Sequence, residues 1–217
     1  ADLLEAAGVK IALPPQEIAR AVRETGFGFM FAQAHHSATR HAAGPRRELG
    51  IRTVFNVLGP LTNPAGAPLQ VIGLFSVDWV RKIAAVLRRL GTRRALVVHA
   101  ADGLDELSIG APTHVAELNE GEISHYVFDP AALGIAPAPL SALRVANAAE
   151  SLAVIQRVYA NEPGPARDIV ALNAGAALYL CGFAANIGDG YRQALALLAS
   201  GAAREAFARH IAFTQSI

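Results

Sequence analysis

The sequence predicts an α/β fold, with a largely parallel central sheet flanked by helices, from three observations. The first is the apolar run Ala95-Leu96-Val97-Val98-His99, which reads as a buried strand. The second is an earlier apolar run, Val71-Ile72-Gly73-Leu74-Phe75, joined to it by a segment with helical spacing at Val80, Ile83, Leu87 and Leu90. Strand, helix, strand is a crossover unit, and its two strands run parallel. The third is the acidic turn Ala101-Asp102-Gly103-Leu104-Asp105-Glu106-Leu107, which follows the second run directly. Ligands of open α/β sheets sit beyond the carboxyl ends of the strands, where Asp102, Asp105 and Glu106 emerge. Carboxylates there suit a hydrated Mg²⁺ shared with substrate phosphates. Asp-Gly is equally ordinary turn punctuation, in which case the acids are simply solvated.

Ahead of the crossover, Ala1 to Ala7 favours a helix ending at Gly8, and Pro14 to Thr25 carries Ile18, Ala19 and Val22 before a stop at Gly26. Glycine alternates with phenylalanine over Gly26-Phe27-Gly28-Phe29, and the run to Phe31 predicts a short strand with core phenylalanines whose backbone is closely approached by something else. Residues 34–52 gather His35, His36, Arg40, His41, Arg46, Arg47 and Arg52, with Pro45 placed to start a helical turn. Thr53 to Leu58 is a helix or strand, closed by a stiff loop at Gly59-Pro60-Leu61-Thr62-Asn63-Pro64. Beyond the acidic turn, His114 to Leu118 and Ile123 to Phe128 flank Asn119-Glu120-Gly121-Glu122 as an antiparallel hairpin. Helices are predicted over Asn147 to Ala160, Asp168 to Leu180 and Tyr191 to Ala212, broken at Pro163-Gly164-Pro165 and Gly188-Asp189-Gly190. With no repeat or linker, one compact unit over residues 1–217 is the simplest reading.

Hydrophobic content of 53% against 17% charged residues points to an extensive interior or an oligomer interface, and excludes a disordered chain. A net charge of +1 offers no bulk attraction to nucleic acid or an anionic membrane, so phosphate binding has to be local. Cys181 is the only cysteine, which rules out an intrachain disulfide and a thiolate cluster and fits a reducing, cytoplasmic setting. Its place within an apolar helix predicts a buried structural thiol. The most apolar stretch, Ile169 to Ala184, is interrupted by Asn173, Gly175 and Gly182, so no membrane span is expected, nor does the N-terminus read as a signal peptide.

His35, His36 and His41 fall within seven residues, but zinc sites built from histidine commonly add a carboxylate or thiolate and only Glu48 is near, so a metal there is disfavoured. The arginines of the same stretch suit a pocket for an anion, since a guanidinium grips a carboxylate with two parallel bonds. Read by themselves, these residues favour a solvated face instead. Arg88, Arg89, Arg93 and Arg94 lie around a helix C-terminus, where cations need no ligand to explain them. No dinucleotide, P-loop or Gly-x-Ser-x-Gly pattern occurs, which argues against typical NAD enzymes, P-loop kinases and α/β-hydrolases.

Four segments taken in order carry a resemblance. They are His35-His36-Ser37-Ala38, Arg46 to Thr53, Phe55-Asn56-Val57-Leu58-Gly59-Pro60-Leu61-Thr62-Asn63-Pro64, and Asp102-Gly103-Leu104-Asp105-Glu106. Together they resemble the anthranilate phosphoribosyltransferase family, and the likeness runs from Ala1 to the C-terminus. It implies a nucleoside phosphorylase/phosphoribosyltransferase-like fold in which residues 36–62 contribute to a small helical subdomain. The implied reaction transfers phosphoribosyl from phosphoribosyl pyrophosphate to the amine of anthranilate, releasing pyrophosphate, in tryptophan biosynthesis. Asp105 and Glu106 would hold Mg²⁺ against the pyrophosphate, His36 and Arg46 would contact anthranilate, and Gly59 and Pro60 would line the same aromatic site. Members of this family form homodimers, largely through a helical region.

That region, a glycine-rich phosphoribosyl pyrophosphate loop and an Asn/Ser-rich segment precede in the family the point at which this chain starts. The chain is therefore expected to correspond to the C-terminal part of such an enzyme and to be inactive, or nearly so, when taken alone. Gly44-Pro45 stands where relatives usually have proline then valine, which could alter how Arg46 is presented. A pyrimidine nucleoside phosphorylase is a rival within the fold, and the paired acids favour a magnesium pyrophosphate over it. A non-catalytic relative that binds nucleic acid is a rival of another class, and a net charge of +1 weighs against it.

Overall fold

The computed structural model describes residues 1–35 and 55–217, so the expectations placed on residues 36–54 lie outside the described residues. The chain divides into two compact units, one of residues Ala1–Gly66, Val145–Gln156 and Gly201–Ile217, the other of Ala67–Arg144 and Arg157–Ser200.

The second unit carries the sheet. Strand β1 (Leu69–Gly73) leads through a helix at Val77–Arg89 into β2 (Arg94–Ala100), and the two strands pair in parallel with Val71 opposite Leu96. The helix starts where the Ser76 hydroxyl accepts the Asp78 N–H at 3.3 Å. It buries Val80, Ile83, Ala84 and Leu87, whereas Leu90 caps its C-terminus and is exposed. Ala95 to Val98 are fully enclosed, as a strand covered on both faces requires.

Strands β3 (Thr113–Asn119) and β4 (Glu122–Phe128) extend the sheet in the order β1-β2-β3-β4. Both added pairings are antiparallel, so the described sheet is mixed rather than largely parallel. The physical reason is the connection: no helix crosses back between β2 and β3, so the chain returns antiparallel, and a two-residue turn adds β4. That turn, Glu120-Gly121, has φ of 46° and 91°, the left-handed pair that a tight hairpin of this kind needs. Glu117 of β3 is buried, and its carboxylate accepts the hydroxyls of Tyr126 at 3.0 Å and Tyr179 at 2.7 Å.

Two helices of this unit, α1 (Pro165–Leu180) and α2 (Ile187–Ala199), follow the hairpin in sequence. Gly188-Asp189-Gly190, expected as a break, lies inside the first turns of α2. The Asn186 carboxamide caps that helix by accepting the Asp189 N–H at 2.8 Å, and Gly190 is required for close packing rather than for a bend. The break falls instead at Gly201, whose φ of 79° separates α2 from a last helix at Ala202–Gln215. Cys181 is exposed at the end of α1 and not buried within it, because the helix stops there, its N–H bonded to Ala177 O at 2.9 Å. None of the described helices is long and apolar enough to cross a membrane.

In the first unit, helices at Asp2–Ala6 and Pro15–Thr25 form as expected, the second stopping at Gly26 with φ of 80°. No strand follows it. The segment from Phe27 to Phe31 instead folds back over the helix it has left, so that a Cβ on Gly28 would lie 2.7 Å from Val22 Cγ2 and 3.0 Å from Ile18 Cγ2. Phe27 is 44% exposed, its ring meeting His210 edge-on at 4.6 Å, and is not core. The helix at Phe55–Leu61 runs through Gly59 and Pro60, where a loop was expected. The Thr62 hydroxyl compensates at its end by bonding Leu58 O at 3.0 Å and Gly59 O at 3.3 Å.

His210 is buried against Thr25, with Nδ1 at 3.2 Å from the hydroxyl, and burial holds its pKa below the ordinary imidazole value. Its unfolded form therefore takes up a proton more readily than its folded form. Stability from this residue is fully present above about pH 6.5 and falls as pH drops through the lower folded value. A chemical denaturation midpoint lower at pH 5.5 than at pH 7.5, with a smaller difference in His210→Gln, is the expected result.

Candidate functional site

At the end of β2 the chain turns back on itself, with Gly103 N–H bonded to Ala100 O at 2.9 Å, Ala100 N–H to Leu104 O at 2.9 Å, and Ala101 N–H to Pro112 O at 2.8 Å. Gly103 has φ of 92°, a conformation that its lack of a Cβ permits. The Asp102 carboxylate is used up inside this turn: Oδ1 accepts the Leu104 N–H at 3.3 Å and Oδ2 accepts the Ser108 hydroxyl at 2.6 Å. Ser108 in turn accepts the Gly110 N–H at 2.9 Å and donates its own N–H to the Thr113 hydroxyl at 3.2 Å. Asp102 therefore shapes the loop, and the sequence expectation that grouped it with the exposed acids separates here into two roles.

Asp105 and Glu106 are exposed, and among the described residues neither carboxylate has a hydrogen-bond or ion-pair partner. Partial burial, and then the negative charge of Asp105, hold the Glu106 carboxyl above its usual range. Two adjacent carboxylates that repel each other and are spent on nothing else fit a divalent cation, which would relieve that repulsion. No group of three or more His, Cys, Asp or Glu side chains is arranged to enclose a metal among the described residues. Among the described residues, Asp105 and Glu106 are thus the groups that would hold such a cation.

Main-chain contacts fix where the pair sits. The Asp105 carbonyl passes directly over Gly73, the last residue of β1, so that a Cβ there would overlap the oxygen and lie 2.5 Å from the carbonyl carbon. On the other side Leu107 is fully buried, and its N–H and C=O are both held at 3.0 Å by the Asn173 carboxamide of α1. His99 Nδ1 lies 2.7 Å from Leu74 O and ties the ends of β2 and β1 together. The pair thus stands at the carboxyl ends of two parallel strands, the ligand position of open α/β sheets.

Of the other sequence-predicted residues, Gly59 and Pro60 sit half-buried in one short helix of the first unit, and His36 and Arg46 lie outside the described residues. Gly73 and Asn173 were not singled out for the site. A glycine inside a strand signals close backbone approach, and a carboxamide interrupting an apolar helix signals a partner, so both had a readable cue. A groove of about 460 Å³ between the Val77–Arg89 helix and the β3–β4 hairpin, lined in part by Arg81, Lys82, His114 and His125, does not include the acids. The chemistry is better placed at the free carboxylates, because they stand at the carboxyl ends of the two parallel strands, whereas the groove lies between that helix and the hairpin.

Residues 1–204 match the family described as glycosyl transferase family, a/b domain. The chain is 55% identical over 216 residues to the anthranilate phosphoribosyltransferase of Thioalkalivibrio sulfidiphilus, covering 100% of itself and 64% of that protein. It is similar to the crystal structure of the anthranilate phosphoribosyltransferase from Thermus thermophilus, with a TM-score of 0.91, 45% identity, and coverage of 99% of this chain and 64% of that one. The enzyme of Saccharomyces cerevisiae, solved in complex with PRPP and Mg, shares the fold with a TM-score of 0.91 at 23% identity, over 100% of this chain and 62% of that one. The chain spans about 64% of the length of the curated relative.

Proposed function

The chain belongs to the glycosyl transferase family through its a/b domain, and from that premise we propose that it serves the transfer of phosphoribosyl from phosphoribosyl pyrophosphate to anthranilate, in tryptophan biosynthesis. The observation that carries this reading is the free Asp105-Glu106 pair at the carboxyl ends of β1 and β2. The identity of 55% to a protein of that activity supports it.

In the proposed reaction the amine nitrogen of anthranilate forms a bond to the ribose carbon as the bond from that carbon to the pyrophosphate oxygen breaks, and the nitrogen releases a proton to solvent. Mg²⁺, when bound, neutralises charge on the departing pyrophosphate. Asp105 and Glu106 would hold that cation at the diphosphate. Arg46 pairs with the anthranilate carboxylate through its planar fork, while His36, Gly59 and Pro60 bound the aromatic ring. Catalysis then rests on positioning and on electrostatic stabilisation of an oxocarbenium-like transition state, with no nucleophilic side chain. In this reading residues 36–62 belong to a small helical subdomain, and the whole protein is a cytoplasmic homodimer that binds neither nucleic acid nor membrane.

The test is substitution of the pair in the whole protein, following anthranilate consumption by its fluorescence. Asp105→Asn and Glu106→Gln are each expected to lower turnover at least about a hundredfold at fixed Mg²⁺ and to raise the Mg²⁺ concentration needed, since even outer partners of metal ligands cost roughly 10 to 100-fold. Unchanged turnover and Mg²⁺ dependence in both variants would reject the assignment.

A further inference from the structure

We propose that Asn173 is a positioning residue for the acidic pair, a role that rests on the reading of Asp105 and Glu106 given above. Asn173 lies in the middle of α1, a helix whose neighbouring residues Ala171, Leu172, Gly175 and Ala176 are all buried. A carboxamide in such surroundings costs free energy unless each of its groups finds a partner. All of them do. Oδ1 accepts the Leu107 N–H at 3.0 Å, and Nδ2 donates to Leu107 O at 3.0 Å and to Ile169 O at 3.1 Å.

The side chain therefore grips both backbone groups of one residue, as a neighbouring strand would, although Leu107 belongs to no strand. Only a side chain that presents a donor and an acceptor together can do this; a carboxylate supplies the acceptor alone. Leu107 is the residue directly after Glu106. Upstream, the Asp105 carbonyl rests on Gly73. The two acids are thus spanned by main-chain anchors at both ends while their own side chains remain free among the described residues, so the anchors set their direction.

The anchoring helix is itself held to the sheet. Tyr179, further along α1, donates its hydroxyl to Glu117 of β3 at 2.7 Å, and Gly175 packs against Gly190 of α2. Displacement of α1 is resisted from two sides, and Asn173 passes its position on to the loop. A residue that merely satisfied buried backbone would affect stability alone; a positioning residue also affects cation affinity.

Two variants test this. Asn173→Ala removes both bonds to Leu107, and Asn173→Asp preserves shape and the acceptor but removes the donor. Should the alanine variant fail to fold, the aspartate variant carries the test. The readouts are Mn²⁺ affinity in the presence of inorganic pyrophosphate, followed by electron paramagnetic resonance, the hydrogen-exchange rate of the Leu107 amide, and the KM for anthranilate. In Asn173→Asp, Mn²⁺ affinity is expected to fall about tenfold or more, with KM for anthranilate within twofold of the parent. In Asn173→Ala the Leu107 amide is expected to exchange faster as well. Mn²⁺ affinity within twofold of the parent in Asn173→Asp, alongside a large loss in Asp105→Asn, would overturn the role of Asn173 and leave the metal site standing. Mn²⁺ affinity unaffected by Asp105→Asn and Glu106→Gln would overturn the metal site itself and this inference with it.

Discussion

Gly73→Ala is expected to lower stability by at least about 3 kcal/mol, an overpacking cost at the upper end of the usual range, and to abolish the cation binding proposed for the acidic pair. The added methyl would coincide with the Asp105 carbonyl oxygen and stand 2.5 Å from its carbon and 3.3 Å from its Cα. These are backbone atoms, so no side-chain rotation relieves the clash. Either β1 leaves its pairing with β2, where Gly73 stands opposite Val98, or the loop bearing Asp105 and Glu106 moves outward. Both paths also strain the Asn173 grip on Leu107. Urea unfolding gives the stability loss and Mn²⁺ titration the binding loss. A midpoint shift equivalent to less than about 1 kcal/mol would show that the loop yields without cost, against the packing density of protein interiors.

Gly190→Ala is expected to cost about 3 kcal/mol, even though alanine favours a helix over glycine by about 1 kcal/mol. Its Cβ would overlap the Gly175 oxygen and lie 2.8 Å from the carbonyl carbon. The reciprocal substitution, Gly175→Ala, would place a methyl 2.6 Å from Gly190 C and 2.7 Å from Tyr191 Cα. Helices α1 and α2 therefore touch backbone to backbone, and any side chain at either glycine pushes them apart. Gly188→Ala is the control. Its methyl would meet the end of the Leu133 side chain at 2.7 Å, which can rotate away, and the capping Asn186 Oδ1 at 3.2 Å, which needs to give only a few tenths of an ångström, so a loss well below that at Gly190 is expected. Equal losses for Gly188→Ala and Gly190→Ala in urea unfolding would refute the distinction between the two contacts.

Where local periodicity and turn chemistry governed the outcome, the sequence was legible. The crossover unit, the Glu120-Gly121 hairpin, the stop at Gly26 and the siting of Asp105 and Glu106 after β2 all follow from spacing and glycine placement. Tertiary contacts decided the rest. Gly188-Asp189-Gly190 reads as a break by propensity, but the Asn186 cap and the Gly175 contact hold it helical. Gly26 to Phe31 reads as a strand by alternation, but Gly28 lies against the helix formed by Pro15–Thr25, leaving the segment no ladder to join. Asp102 could not be distinguished from Asp105 by spacing, because only the fold brings the Ser108 hydroxyl to it. Asn173 and Leu107 are 66 residues apart, a separation no local pattern reports.

The resting of the Asp105 main chain on Gly73 also has a practical use. Because Asp105 meets Gly73 through its main chain, and neither acid's side chain has a partner among the described residues, the groups at 105 and 106 can change without altering that contact. Softer or harder donor groups exchanged there would retune which ion the proposed site prefers, whereas Gly73 and the Asn173 grip on Leu107 are where that freedom ends.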